Sequence, residues 1–263
     1  MMKHAAAAMT ALALFSAPAF ASDRLTDRDV KALVERIDDG RDKFEGALDD
    51  TLKNTVVRSA TGEINVKREL DDFKESVSRL KDRLKPDYTA SSEANVVLKR
   101  ATDIDVFLAK QSASFKGASE WTRLSTDLKS LAAAYGTYFP LPDNATVRRL
   151  GDREVATAVE QLAKTGDQLK KSIDADLKTD VSVTPDARKA AVAEAEQWSK
   201  DAKELADRLK DGKPSAAEAD RVAAGALKLQ LFIDSRTLKA TQGVWAGSAS
   251  ARQTLAQAYG TAK

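Results

Sequence analysis

The sequence predicts an all-α protein of two tandem up-and-down four-helix bundles, and three observations carry that prediction. Apolar residues recur at helical spacing along nearly the whole chain. The second half repeats the first at a shift of about 125 residues, as an internal duplication does. Past the N-terminal region, every proline falls between the expected helices, where a missing N–H does no harm.

The chain begins with a segment of another kind. Residues 1–21 read as a cleaved secretory signal peptide, with Lys3 as the positive start, Ala5 to Phe15 as the apolar stretch and Ala19-Phe20-Ala21 as the small-residue cleavage site before Ser22. A membrane anchor is the competing reading, but the apolar run is only about half of the ~20 residues that a span requires. The expected product is soluble, periplasmic or secreted, and has no integral membrane segment after cleavage. Without cysteine it has no disulfides, so burial alone must stabilise it.

The first helix carries Val30, Leu33, Val34, Ile37, Phe44, Leu48 and Leu52 on one stripe. The second carries Leu70, Phe73, Val77, Leu80 and Leu84, and the third Val97, Ala101, Ile104 and Leu108. Trp121, Leu124, Leu128, Leu131 and Tyr135 mark the fourth. Charged residues fill the other faces, and helices with one apolar stripe bury it against each other. No segment shows the alternation expected of a strand.

At a shift of 125, Leu25, Asp27, Arg28, Val30, Val34 and Glu35 meet Leu150, Asp152, Arg153, Val155, Val159 and Glu160. The run Asp82-Arg83-Leu84-Lys85 meets Asp207-Arg208-Leu209-Lys210. After a one-residue deletion, Trp121 and Tyr135-Gly136 meet Trp245 and Tyr259-Gly260. The expected boundaries are 22–142 for one copy and 143–263 for the other. Thr137 to Asn144 connect them, with Tyr138, Phe139 and Leu141 expected to pack. Thr184-Pro185 reads as an N-cap followed by proline, and Ser215 with Glu218 has capping-box spacing. Gly136 and Gly260 read as left-handed helix ends.

Composition excludes more than it assigns. The 42 basic and 40 acidic side chains nearly cancel, which argues against a nucleic-acid binder. The single histidine is His4, and the three methionines are Met1, Met2 and Met9, so the chain after cleavage has no His, Cys or Met. That removes thiol chemistry, the usual zinc and copper ligands and every histidine base. No Gly-x-Ser-x-Gly elbow, Gly-x-Gly-x-x-Gly turn or P-loop occurs. We therefore expect no enzyme activity, no catalytic or metal-ligating residues and no cofactor.

The remaining candidates each have a plain structural explanation. Trp121, Trp198 and Trp245 suit core packing better than ligand stacking. The acids Asp174, Asp176 and Asp180 lack the turn glycine of a calcium loop and suit solvated helix faces. Arg148-Arg149 is an isolated basic pair. In the last helix, Ser248 and Arg252 stand where the first copy has Leu124 and Leu128, and Gly243 and Gly247 weaken the helix further. Slack at a chain end is one reading. An interaction surface of Trp245, Ser248, Arg252 and Tyr259 is the other. The functional expectation is macromolecular binding as a scaffold, adaptor or envelope-stress factor, with an envelope protein as partner. The alternative is a periplasmic carrier holding an apolar small molecule or lipid between helices.

Overall fold

A computed structural model describes residues 24–59, 62–111 and 115–260. The signal-peptide reading falls on residues outside that set. The fold is all-helical in its bulk, with ten helices among the described residues and one small hairpin.

The first half opens with α1 (Asp27–Ala47), whose N-terminus carries a capping box of Thr26 and Asp29. A short α2 (Asp50–Lys53) and the antiparallel strands β1 (Val56–Ser59) and β2 (Gly62–Asn65) lead into α3 (Val66–Arg83). Then follow α4 (Ser91–Leu108) and α5 (Ala118–Ala134). The hairpin corrects the expectation of a strand-free chain, and α1 stops before Leu48 and Leu52. Helix α1 packs on α3 and α5, and α4 packs on α3.

The second half replaces the hairpin with continuous helix. Helix α6 (Asp152–Lys178) and α7 (Pro185–Lys210) form a long antiparallel pair, joined by a turn at 179–184. Thr184 caps α7, with Pro185 as its first residue. Then come α8 (Ala216–Asp234), α9 (Lys239–Ala246) and α10 (Ala249–Tyr259). The last two both lie along α6, with a break between them at Gly247-Ser248.

Burial falls into two separate apolar clusters. One includes Leu33, Phe44, Phe73, Leu98, Leu128 and Tyr135, and the other Leu162, Leu169, Trp198, Leu205, Leu229 and Tyr259. Helix ends follow the punctuation in the sequence. Gly136 at φ 68° ends α5: Thr137 N–H donates to Ala132 and Gly136 N–H to Ala133, satisfying two terminal carbonyls. Gly260 is also left-handed, at φ 64°. Ser215 departs from expectation, because its hydroxyl makes no cap bond and lies 2.6 Å from the Tyr259 hydroxyl. In the connection, Phe139 is buried and Leu141 packs on the first core, but Tyr138 is exposed.

Candidate functional site

The two halves meet where α1 and α6 begin, and the contact is reciprocal. The backbone N–H of Asp27 donates to the Asp152 carboxylate at 2.8 Å, and the N–H of Asp152 donates to the Asp27 carboxylate at 2.9 Å. Each helix thus receives at its N-terminus a carboxylate from the other half, where free N–H groups and the helix dipole favour negative charge. Gly151, the N-cap of α6, has no side chain to do this, so Asp27 substitutes for one.

Two arginines close the contact. Arg149 donates through Nη2 to the Leu25 carbonyl and to Asp27 Oδ1, both at 2.7 Å. Arg24 donates to the Leu150 carbonyl and to Asp152. Every residue in one set is related to its counterpart by the same shift of 125: Arg24 to Arg149, Leu25 to Leu150, Asp27 to Asp152. A contact in which i meets j and j meets i is isologous, as across a two-fold axis. Both guanidinium groups are deeply buried, with side-chain exposures of 7% for Arg24 and 2% for Arg149. Burial, followed by the like charge of Arg24, lowers the Arg149 pKa, while Asp27 opposes that shift. Removing one partner from such a pair leaves a buried charge uncompensated, at about 3–5 kcal/mol.

The sequence leaves Arg148-Arg149 as an isolated basic pair; Arg149 is instead buried in the contact between the two halves. Extending the 125-residue match one position upstream of Leu25 would have found it, since Arg24 and Arg149 align. Arg149 is held from behind by the entry to α4, where its carbonyl accepts from Thr89 Oγ1 and its N–H donates to Ser91 Oγ.

Beside the clasp runs an open groove of about 550 Å³ between the halves. Its walls bring Arg28 and Pro86 from the first half against Arg153, Ala156, Leu209 and Asp211 from the second. The carboxylates at the groove are engaged: Asp152 by the clasp, Glu160 by Lys210 and Asp211 by Lys213. Arg28 and Arg153 are exposed, and among the described residues their side chains have no ion pair or hydrogen bond.

The residues singled out in the last helix do not form a surface. Trp245, Ser248 and Tyr259 are buried, and only Arg252 is partly exposed, lying 4.1 Å over the Trp245 ring. Ser248 sits in the break between α9 and α10, where its hydroxyl donates to the Trp245 carbonyl at 2.6 Å and accepts from Arg252 Nε at 3.1 Å. A leucine there would not complete a stripe, because the position is already full.

All three tryptophans lie in cores. Trp121 tilts against Phe44 at 4.9 Å and Trp245 against Trp198 at 5.6 Å. Trp121 Nε1 donates to Asp105 and Trp245 Nε1 to Gln230; the acceptors lie 125 apart and the tryptophans 124. Among the acids, Asp176 accepts from the Thr241 N–H and hydroxyl at the start of α9, and Asp174 pairs with Arg188. Among the described residues no cluster of His, Cys, Asp or Glu is arranged for a metal, and no helix is long and apolar enough to cross a membrane. No family model, curated protein or solved structure matches the chain.

Proposed function

We propose that this is an exported, soluble binding protein made of two tandem copies of one four-helix unit, 22–142 and 143–263, acting as a scaffold or adaptor rather than an enzyme. The observation that supports this most is the reciprocal clasp of Arg24 with Asp152 and Arg149 with Asp27. A duplicated unit that retains an isologous contact presents two charged helical faces in a fixed relation and leaves an open groove at their junction. The paired tryptophan and tyrosine contacts support the duplication as well. Tyr135 donates to the Thr89 carbonyl at 2.6 Å, and Tyr259 meets Ser215 at the corresponding entry to α8.

The carrier reading gains nothing from the apolar opening between Phe44, Leu70, Ile104 and Phe107. At about 10 Å³ it has room for roughly one water molecule. The test is in-cell photocrosslinking of the otherwise native, untagged chain from exposed positions on several faces, Thr157 in the groove and Lys189 on α7 among them. A reproducible envelope partner is the expected result, and no partner across growth conditions would overturn the reading. N-terminal mass analysis of the purified protein, expected to begin at Ser22, tests export. Native mass spectrometry tests the carrier: a bare mass is expected, and a co-purifying apolar ligand would replace the adaptor by the carrier.

A further inference from the structure

The seam groove has the chemistry of an anion receptor. Arg28 and Arg153 occupy the second position of α1 and α6 and line the same groove from opposite halves. Every carboxylate on the groove wall is already tied to a basic group or a backbone N–H. Among the described residues, the local excess is therefore two guanidinium groups without counter-ions. Guanidinium is weakly hydrated and planar, and it grips carboxylates through paired N–H donors.

The remaining wall decides what sort of anion fits. Pro86 gives its floor an exposed apolar group, Ala156 and Leu209 are buried in it, and the groove is open rather than enclosed. A small, fully hydrated anion would leave that floor in contact with water. An extended peptide with two carboxylates separated by apolar side chains would cover the floor and meet both arginines. Resting on the binding-protein reading above, we infer that this groove receives an acidic, partly apolar peptide segment of the partner, held by Arg28 and Arg153.

The full chain can be titrated against a fluorescein-labelled Glu-Leu-Glu-Leu-Glu peptide by fluorescence anisotropy. At physiological ionic strength, exposed charges beyond about 8 Å are largely screened. The formal net charge of +2 adds little general attraction. Saturable binding is expected, weakened about tenfold or more in R28E/R153E and less in each single variant. The control Lys189→Glu, on the exposed face of α7, should leave affinity within about twofold. Both arginines are exposed, so unchanged circular dichroism and thermal midpoint should accompany the loss. Absence of saturable binding, or equal loss in the Lys189 control, would overturn the inference. So would displacement of the peptide by inorganic phosphate but not by chloride at equal ionic strength, which would make the groove a small-anion site. Photocrosslinking that captures a partner on another face would leave the adaptor reading standing and remove only the groove.

Discussion

The two halves hold their first and second long helices together in different ways. In the second half, Gly166 of α6 faces Ser199 of α7 so closely that a Cβ on the glycine would lie 2.7 Å from the serine Cβ and 2.9 Å from its Cα. Ser199 uses the approach to donate to the Ala163 carbonyl and to Asp167. The residue 125 positions before Gly166 is Arg41, which is buried in α1 with Asp38 at 2.7 Å and Asp42 at 2.8 Å. Lys81 of α3 reaches the same Asp38 at 3.1 Å. One seam is closed by the lack of a side chain, and at the position 125 residues earlier the other half buries a large charged one, paired within α1. The first half carries the β-hairpin between its helices; the second continues as helix. One helical pattern therefore accommodates either no side chain or a large charged one at this position, although Arg41 keeps its ion pairs while its buried Nε has no hydrogen-bond partner.

The largest effects should come from the tryptophans. Trp121→Ala and Trp245→Ala should each cost about 3–5 kcal/mol in urea unfolding. Trp245→Ala should cost more, because that ring packs on Trp198 and also lies beneath Arg252. Equal losses would mean that the Arg252 contact contributes nothing.

Glycine replacements test the closed seam by sign as well as size. Alanine is the better helix former by up to about 1 kcal/mol. Gly166→Ala should nonetheless destabilise by about 1–3 kcal/mol, since the α7 backbone must move. Gly243→Ala in α9 meets nothing within 4 Å and should stabilise by about 0.5–1 kcal/mol. A stabilising Gly166→Ala, read from the thermal midpoint, would contradict the close approach.

The smallest effect concerns acid. Hydrogen bonds from Lys170 and Lys200 lower the Glu196 pKa from 4.5 to about 2. A depressed carboxylate stabilises the fold above its unfolded value, and that contribution is lost as the pH falls from 4.5 through about 2. Glu196→Gln should lower stability near neutrality slightly, since exposed pairs contribute little, and the two chains should converge in stability as the pH falls from 4.5 through about 2. It should flatten the pH dependence of unfolding between those two values. An unaltered acid slope would rule Glu196 out as its source.

Much of this was legible in the sequence. Stripes such as Leu70, Phe73, Val77 and Leu80 gave α3 directly, because a helix buries one face at fixed spacing. Gly136 and Thr184-Pro185 marked helix ends through local backbone preference alone. The hairpin was not legible, since each strand has four residues and mixes Val56 and Val57 with Arg58 and Ser59. The break at Gly247-Ser248 was not legible, since thin apolar spacing and two glycines suit slack at a chain end, whereas Trp245, Ala251, Leu255 and Tyr259 are buried. The clasp depends on side chains more than 120 residues apart. Periodicity, which reports one helix at a time, is blind to such a contact. The repeat alignment could have exposed it, but identities at Leu25 and Asp27 also suit an ordinary helix start.

The clasp of Arg24 with Asp152 and Arg149 with Asp27 should couple the two halves into one cooperative unit. Scanning calorimetry of the wild-type chain and of R24M/R149M tests it most directly. Methionine retains length and apolar contact but donates no hydrogen bond to Asp27, Asp152 or the Leu25 and Leu150 carbonyls. The wild type should unfold in one cooperative transition, and the double variant in two, as each half melts on its own core. Two transitions in the wild type, or a single unshifted transition in the variant, would contradict the clasp.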